Sequence, residues 1–196
     1  VARTRVVVHG VAVSPRATAL MLLLSWPLQP LDDATRDWVQ ALQRPALDVP
    51  MHLASDRSRV LLVAGAVVAL VSGPAGRTFL LESALALLPV NGAAEGLKWA
   101  VNRTRPDGTH DRRNSSFPSS HAANAFVMAA LLTRRWPRST IPAWLAASAV
   151  AFSRLYLNRH WLSDVLGALM LAWAGAWFAA WAMRSWQARM GSARTS

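Results

Sequence analysis

No cysteine occurs in the 196 residues, which excludes a disulfide framework and any thiolate metal site. Charge is scarce as well. Charged residues make up 16% of the chain and hydrophobic residues 53%, whereas a soluble domain carries roughly 25% charged residues. That shortage points to a membrane protein. Lysine is almost missing, with Lys98 the only one, so arginine carries nearly all of the formal net charge of +11. A nucleic-acid-binding domain would wear such charge as a stripe on a polar surface. Here the arginines sit in short clusters between apolar runs, a pattern that belongs to membrane topology and sets nucleic acid aside as a partner. The sequence also lacks an internal repeat, a low-complexity linker and a clear small-x-small cleavage site after its first apolar run. It therefore reads as one domain over 1–196, with a core from about residue 30 to 183 and short basic tails rather than a cleaved signal peptide.

What is present is a series of apolar runs. They cover 17–28, 59–73, 78–101 with Pro89 as an expected kink, a run from Pro118 through "HAANAFVMAALLT", 140–157 and 161–183. Several fall short of the roughly 20 residues a span needs, so their ends must recruit flanking residues. Over 31–48, Leu31, Ala34, Trp38, Ala41 and Leu42 recur at helical spacing between charges. This predicts one amphipathic helix on the membrane surface, with Trp38 and Leu42 towards acyl chains and Asp32, Asp33 and Asp37 towards water. The expected fold class is all-α: a polytopic membrane bundle of about six transmembrane helices plus that interfacial helix.

Arg3, Arg5, Arg16, Arg77, Arg134, Arg135, Arg138, Arg184, Arg189 and Arg194 then fall on one side, which should be cytoplasmic. The amphipathic segment, the 102–117 loop and the 157–161 turn fall on the other. The protein is thus expected in the cytoplasmic (inner) membrane, with these loops facing the periplasm or cell exterior.

Three polar clusters meet on that outer side: "KWAVNRTRP" from Lys98 to Pro106, "FPSSHA" with Ser119, Ser120 and His121, and "SRLYLNRHWLSD" from Ser153 to Asp164. Ionisable groups are costly beside hydrocarbon and usually mark function there. A transferring phosphoryl group spreads charge over three equatorial oxygens, which Lys98, Arg105 and Arg154 could neutralise. Pro118 and Ser119–Ser120 suit a helix start, and the unpaired N–H groups of that first turn form an anion cradle. His160 and Asp164 lie four apart, on one helical face. Asp164 can hold one ring nitrogen as N–H and leave the other free to attack phosphorus. His121 can protonate the leaving oxygen and then activate water.

Each residue also has a plainer role available. Arg154 and Arg159 can snorkel, Asp164 can neutralise one of them, His121 can cap a helix, and Lys98 can pair with Glu95 one turn away. His9, His52 and His110 read as solvated. Trp173, Trp177 and Trp181 form a packing or lipid-facing stripe, and Glu82 a helix–helix hydrogen bond.

Together, in this order, the clusters resemble the signature of the type 2 phosphatidic acid phosphatase and vanadium haloperoxidase superfamily: K-x6-R-P, then P-S-G-H, then S-R-x5-H-x3-D. The resemblance runs from roughly residue 30 to 183. It implies an all-helical core and a phosphohistidine mechanism that needs no metal or other cofactor. His160 would be the nucleophile, Asp164 its orienter and His121 the general acid and base. Lys98, Arg105, Ser119, Ser120 and Arg154 would bind phosphate. One departure is Ser120 in place of the usual Gly, which keeps the backbone donor but narrows the pocket.

The expected function is an integral membrane lipid phosphatase acting on polyprenyl diphosphate, phosphatidylglycerol phosphate or phosphatidic acid. A lipid phosphotransferase could use the same site. The apolar runs argue against a soluble haloperoxidase, and the full catalytic set argues against a non-catalytic lipid-binding protein.

Overall fold

The computed structural model describes residues 7–8, 11–12, 28–56 and 73–192. Apart from their last residues, the apolar runs at 17–28 and 59–73 lie outside the described residues, as do His9, Arg3, Arg5, Arg16 and Arg194. A two-residue antiparallel ladder pairs β1 (Val7–Val8) with β2 (Val11–Ala12), in the register Val7 to Ala12 and Val8 to Val11. Among the described residues, everything else with regular structure is helical. The helices are α1 (Gln29–Ala41), α2 (Pro45–Asp56), α3 (Gly73–Val101), α4 (Ser120–Arg135), α5 (Thr140–Tyr156) and α6 (Leu162–Ser192). Short 3₁₀ turns at Arg112–Asn114 and Pro137–Ser139 complete the described chain.

The bundle is assembled on small residues. In α6, Val165, Ala168, Ala172, Ala176 and Ala179 are buried, at a spacing of three or four, against Phe79, Ala86 and Val90 of α3 and the buried face of α4. The opposite face of α6 exposes Leu166, Met170, Trp173, Trp177 and Trp181. A water-soluble bundle would place the large apolar side chains inside. Small residues at the helix interface and large ones outside suit a lipid surround, where association comes from close backbone approach rather than from removing Trp or Leu from water. Among the described glycines the tightest site is Gly175, where an added Cβ would collide with Val90 Cγ2. Among the described residues α6 is the helix long and apolar enough to cross a membrane, over Leu162–Met190. It also runs past the expected end at 183, because "RSWQARM" contains no helix breaker.

One expectation is corrected outright. The single interfacial helix over 31–48 is two helices, with a break at residues 42–44. Pro45 is the cause: it has no N–H to continue the ladder, disfavours helical backbone at Arg44, and is well placed as the first residue of a new helix. Nor do all its acids meet water. Asp33 and Asp37 are exposed, but Asp32 is 1% exposed.

The α1–α2 pair is strapped across the C-terminal end of α5. Gln43 Nε2 donates to the carbonyl of Tyr156 at 2.8 Å, and Gln40 Nε2 to those of Leu155 and Tyr156 at 3.2 Å each. The buried Tyr156 hydroxyl returns the link, donating to Asp48 Oδ1 at 2.9 Å and accepting from the Arg44 amide at 2.9 Å.

Candidate active site

Two helices deliver the site loops in the same way. α3 and α5 each run out onto an asparagine with positive φ, Asn102 (48°) and Asn158 (54°). Asn tolerates the left-handed region better than other side chains and commonly closes a helix there. An arginine follows each. Arg159 stays half in solvent, 3.2 Å from Asp107. Arg103 turns inward and is buried.

Arg103 bridges two buried carboxylates. Its NH1 donates to Asp164 Oδ1 at 2.8 Å and to Ser163 Oγ at 2.5 Å, while NH2 donates to Asp32 Oδ2 at 2.6 Å. Its guanidinium also lies 5.4 Å from the centre of the Trp161 ring. Asp32 reaches from α1 to the start of α6, where Oδ1 accepts the Ser163 amide at 2.8 Å and Oδ2 the Ser163 hydroxyl at 2.6 Å. The first N–H groups of a helix have no partner within it, and Asp32 satisfies one of them from another element. Asp164 satisfies a second from within: its Oδ2 accepts the Trp161 amide at 2.8 Å, the backward half of a capping box.

His160 sits just before α6 and is 4% exposed. The Arg154 carbonyl accepts both the Arg159 amide (3.0 Å) and the His160 amide (3.2 Å), which fixes where the ring starts. Nδ1 lies 2.7 Å from the carbonyl oxygen of Ser116 and 3.6 Å from Asp164 Oδ2. This revises the expected pairing, because the atom within hydrogen-bond reach of Nδ1 is a backbone carbonyl. A carbonyl only accepts, so Nδ1 carries the proton and Nε2 keeps its lone pair.

Asp164 acts one bond further out. Its Oδ2 accepts the Ser116 hydroxyl, and the Ser116 amide donates to the Arg103 carbonyl at 2.9 Å. Burial holds the His160 imidazole below its ordinary pKa. Asp164 opposes that shift, and the charges of Arg154 and Arg105 reinforce it. The neutral ring is therefore the resting form at neutral pH.

Of the remaining sequence candidates, Ser119, Arg154 and Arg105 are linked to this centre directly. Ser119 is the N-cap of α4, and its amide donates to the Asp164 carbonyl at 3.3 Å, which brings the starts of α4 and α6 together. Its hydroxyl makes no capping bond, and the buried Oγ atoms of Ser119 and Ser120 have no hydrogen-bond partner. His121 follows in the first turn of α4, half-buried. Arg154 is buried near the end of α5, with its NH1 on the Ser55 hydroxyl. Arg105 is held by Asn114, through Nε to the carbonyl at 3.1 Å and NH2 to Oδ1 at 2.6 Å. Lys98 Nζ lies 2.6 Å from Glu95 Oε1, the pairing one turn away that its spacing allows. Its side chain is still mostly covered, at 12% exposure.

Arg103, Asp32, Ser116 and Ser163 escaped the sequence reading. Arg103 had a faint signal, standing directly after an Asn that closes a helix. Asp32 had none, because its neighbours made it one more polar position on an amphipathic helix.

Comparison with known proteins adds the following. Residues 78–188 match the model of the PAP2 superfamily. Over 91 residues the chain is 37% identical to lipid A 1-phosphatase of Porphyromonas gingivalis, covering 44% of this chain and 20% of that protein. The chain thus spans about a fifth of the length of that curated relative. Two solved structures share the fold. A transmembrane PAP2-type phosphatidylglycerolphosphate phosphatase from Bacillus subtilis gives a TM-score of 0.63 at 24% identity, over 86% of this chain and 94% of that one. LpxE from Aquifex aeolicus gives 0.67 at 21% identity, over 76% and 94%.

Proposed function

The chain belongs to the PAP2 superfamily, and on that premise we propose that it is an integral membrane lipid phosphatase working through a phosphohistidine on His160. The observation that carries the reading is the contact of His160 Nδ1 with the Ser116 carbonyl oxygen at 2.7 Å: a carbonyl only accepts, so the lone pair is left on Nε2 of a buried ring that feels the charges of Arg154 and Arg105. Nε2 attacks phosphorus, forming the N–P bond as the P–O bond to the lipid breaks. His121 protonates the departing oxygen. The same residue then takes a proton from water, whose oxygen attacks phosphorus and releases inorganic phosphate with His160 restored. Arg105, Arg154, Lys98, the Ser119 and Ser120 hydroxyls and the first turn of α4 hold the phosphoryl oxygens. The two unpartnered serine hydroxyls support that assignment, since a buried hydroxyl without an acceptor or donor is unfavourable unless something occupies the site.

The substrate class is a lipid bearing a phosphomonoester or diphosphate, such as phosphatidylglycerol phosphate, lipid A, polyprenyl diphosphate or phosphatidic acid. The exposed tryptophan face of α6 and the relatives' named substrates both support a lipid. Protein purified in detergent with excess chelator is expected to release phosphate from at least one of these lipids and to act far more slowly on a water-soluble phosphomonoester. No release from any, or strict dependence on added Mg²⁺, would overturn the proposal.

About six spans, counting the runs at 17–28 and 59–73, would place the site on the periplasmic or exterior side of the inner membrane. Asp111 precedes α4 and Arg138 follows it, both exposed, so they mark opposite ends of one helix. Cysteines introduced singly at these positions should react differently with an impermeant thiol reagent on intact cells. Position 111 should label and position 138 should not. The reverse pattern would turn the site to the cytoplasm.

A further inference from the structure

Asp32 lies more than 120 residues before the catalytic histidine and belongs to none of the three clusters, yet it is among the most deeply buried polar side chains. We propose that Asp32 and Arg103 are positioning residues for the phosphohistidine reaction, acting on His160 through Asp164 and Ser116. The inference rests on the phosphatase reading above.

The chain of contacts has no missing link. Asp32 fixes the NH2 prong of Arg103 and the amide and hydroxyl of Ser163. The NH1 prong fixes Asp164 Oδ1, while the Arg103 carbonyl takes the Ser116 amide. Asp164 Oδ2 takes the Ser116 hydroxyl, and the Ser116 carbonyl takes Nδ1 of His160. Ser116 is thereby held at its amide by Arg103 and at its hydroxyl by Asp164. These two anchors leave its carbonyl one direction to point, and that direction selects the tautomer of the nucleophile.

The charges matter as much as the geometry. Two carboxylates and one guanidinium leave the cluster at net −1, behind the ring. Attack on phosphorus makes the imidazole positive, so a net negative charge on its far side favours the transition state over the ground state. Arg105 and Arg154 act on the ring with the opposite sign. Asp32 supplies the negative charge that Arg103 would otherwise cancel in Asp164. The two carboxylates are reached by two different nitrogens, NH1 and NH2; lysine would keep the charge on a single nitrogen and lose that span. Because α1 carries Asp32, and α2 brings Ser55 to Arg154, the strap supports both sides of the site.

Asp32 could instead serve only as a cap for the start of α6, and two variants separate the readings. Asp32→Asn keeps the shape and removes one negative charge. Its kcat should fall about 10- to 100-fold, the scale of a sub-ångström to 1 Å misplacement, with KM nearly unchanged because Asp32 touches no substrate. Losing a negative charge disfavours the imidazolium. The acid limb of kcat/KM should therefore move to lower pH, by about half a unit or more. Arg103→Lys keeps the charge but breaks the fork, so kcat should fall with the acid limb in place.

Both are measured on full-length protein in detergent with the best lipid phosphate, alongside melting temperature. Should Asp32→Asn fail to fold, Arg103→Lys still decides, since wild-type kcat in that variant overturns the proposal. A lower melting temperature with kcat and acid limb unchanged in Asp32→Asn reduces Asp32 to a cap and also overturns it. Those results leave the phosphatase reading intact. Wild-type protein without phosphate release would overturn both.

Discussion

His160→Ala is expected to lower kcat for phosphate release by at least about 10⁴-fold, the scale at which loss of a nucleophile acting within a unit is felt. Nε2 of this ring is the atom that would bond phosphorus, and the paired Nδ1–H and Ser116 carbonyl keep its lone pair available. The serine hydroxyls at the start of α4 are weak nucleophiles without a base against them, and the arginines are permanently protonated. Neither can take the role over. Binding should survive, because the proposed phosphate ligands come from α3, α4, α5 and the 102–117 loop rather than from this ring. The variant is therefore expected to retain affinity for a lipid phosphate while losing turnover. Near wild-type release by a clean preparation would sink the mechanism.

Asp164→Asn should be the next most damaging change, for a reason that differs from the one its spacing suggests. With Nδ1 at 3.6 Å, the carboxylate is not the direct partner of the imidazole. Its two oxygens accept from Arg103, the Trp161 amide and the Ser116 hydroxyl. An amide offers one oxygen and one NH₂, so at least one of these donors would then face another donor. Arg103 would also be left against Asp32 alone. Breaking a buried, hydrogen-bonded ion pair at one partner costs about 3–5 kcal/mol, and Ser116 would lose the bond that aims its carbonyl. The expected outcome is a lower melting temperature in detergent and a kcat reduced by about 10²-fold or more, with a smaller change in KM. A variant that melts and turns over like the wild type would show that the network around Arg103 does not serve catalysis.

The parts of this molecule that were legible in the sequence are those governed by short-range rules. The start of α4 after Pro118, the extent of α5 and the start of α6 follow from proline chemistry and unbroken apolar runs. The three clusters stand out because arginine, histidine and aspartate interrupt those runs, and the structure brings Ser119, His160, Asp164, Arg105 and Arg154 to one end of the bundle. The α1–α2 break was visible too, since Pro45 sits near the end of the 31–48 segment, but the helical spacing from Leu31 to Leu42 outweighed it.

Asp32 and Arg103 were not legible, because their meaning is tertiary. A carboxylate on one helix that caps another directly, and is braced by an arginine from the loop after a third, leaves no periodic trace in any of them. The partner of the His160 ring N–H was not legible for a related reason: spacing of four residues identifies a shared face, whereas the acceptor within hydrogen-bond reach of Nδ1 is a backbone carbonyl 44 positions away.

The most direct test of the central claim is to trap the covalent intermediate. Protein is mixed with a lipid substrate carrying ³²P in the phosphate to be transferred, quenched in alkali to preserve phosphoramidate, digested and sequenced by mass spectrometry. Label on the peptide containing His160, absent in His160→Ala and discharged when unlabelled substrate is chased through the wild type, is the expected result. Label on another residue, or steady release of phosphate with no labelled protein at any quench time, would contradict it.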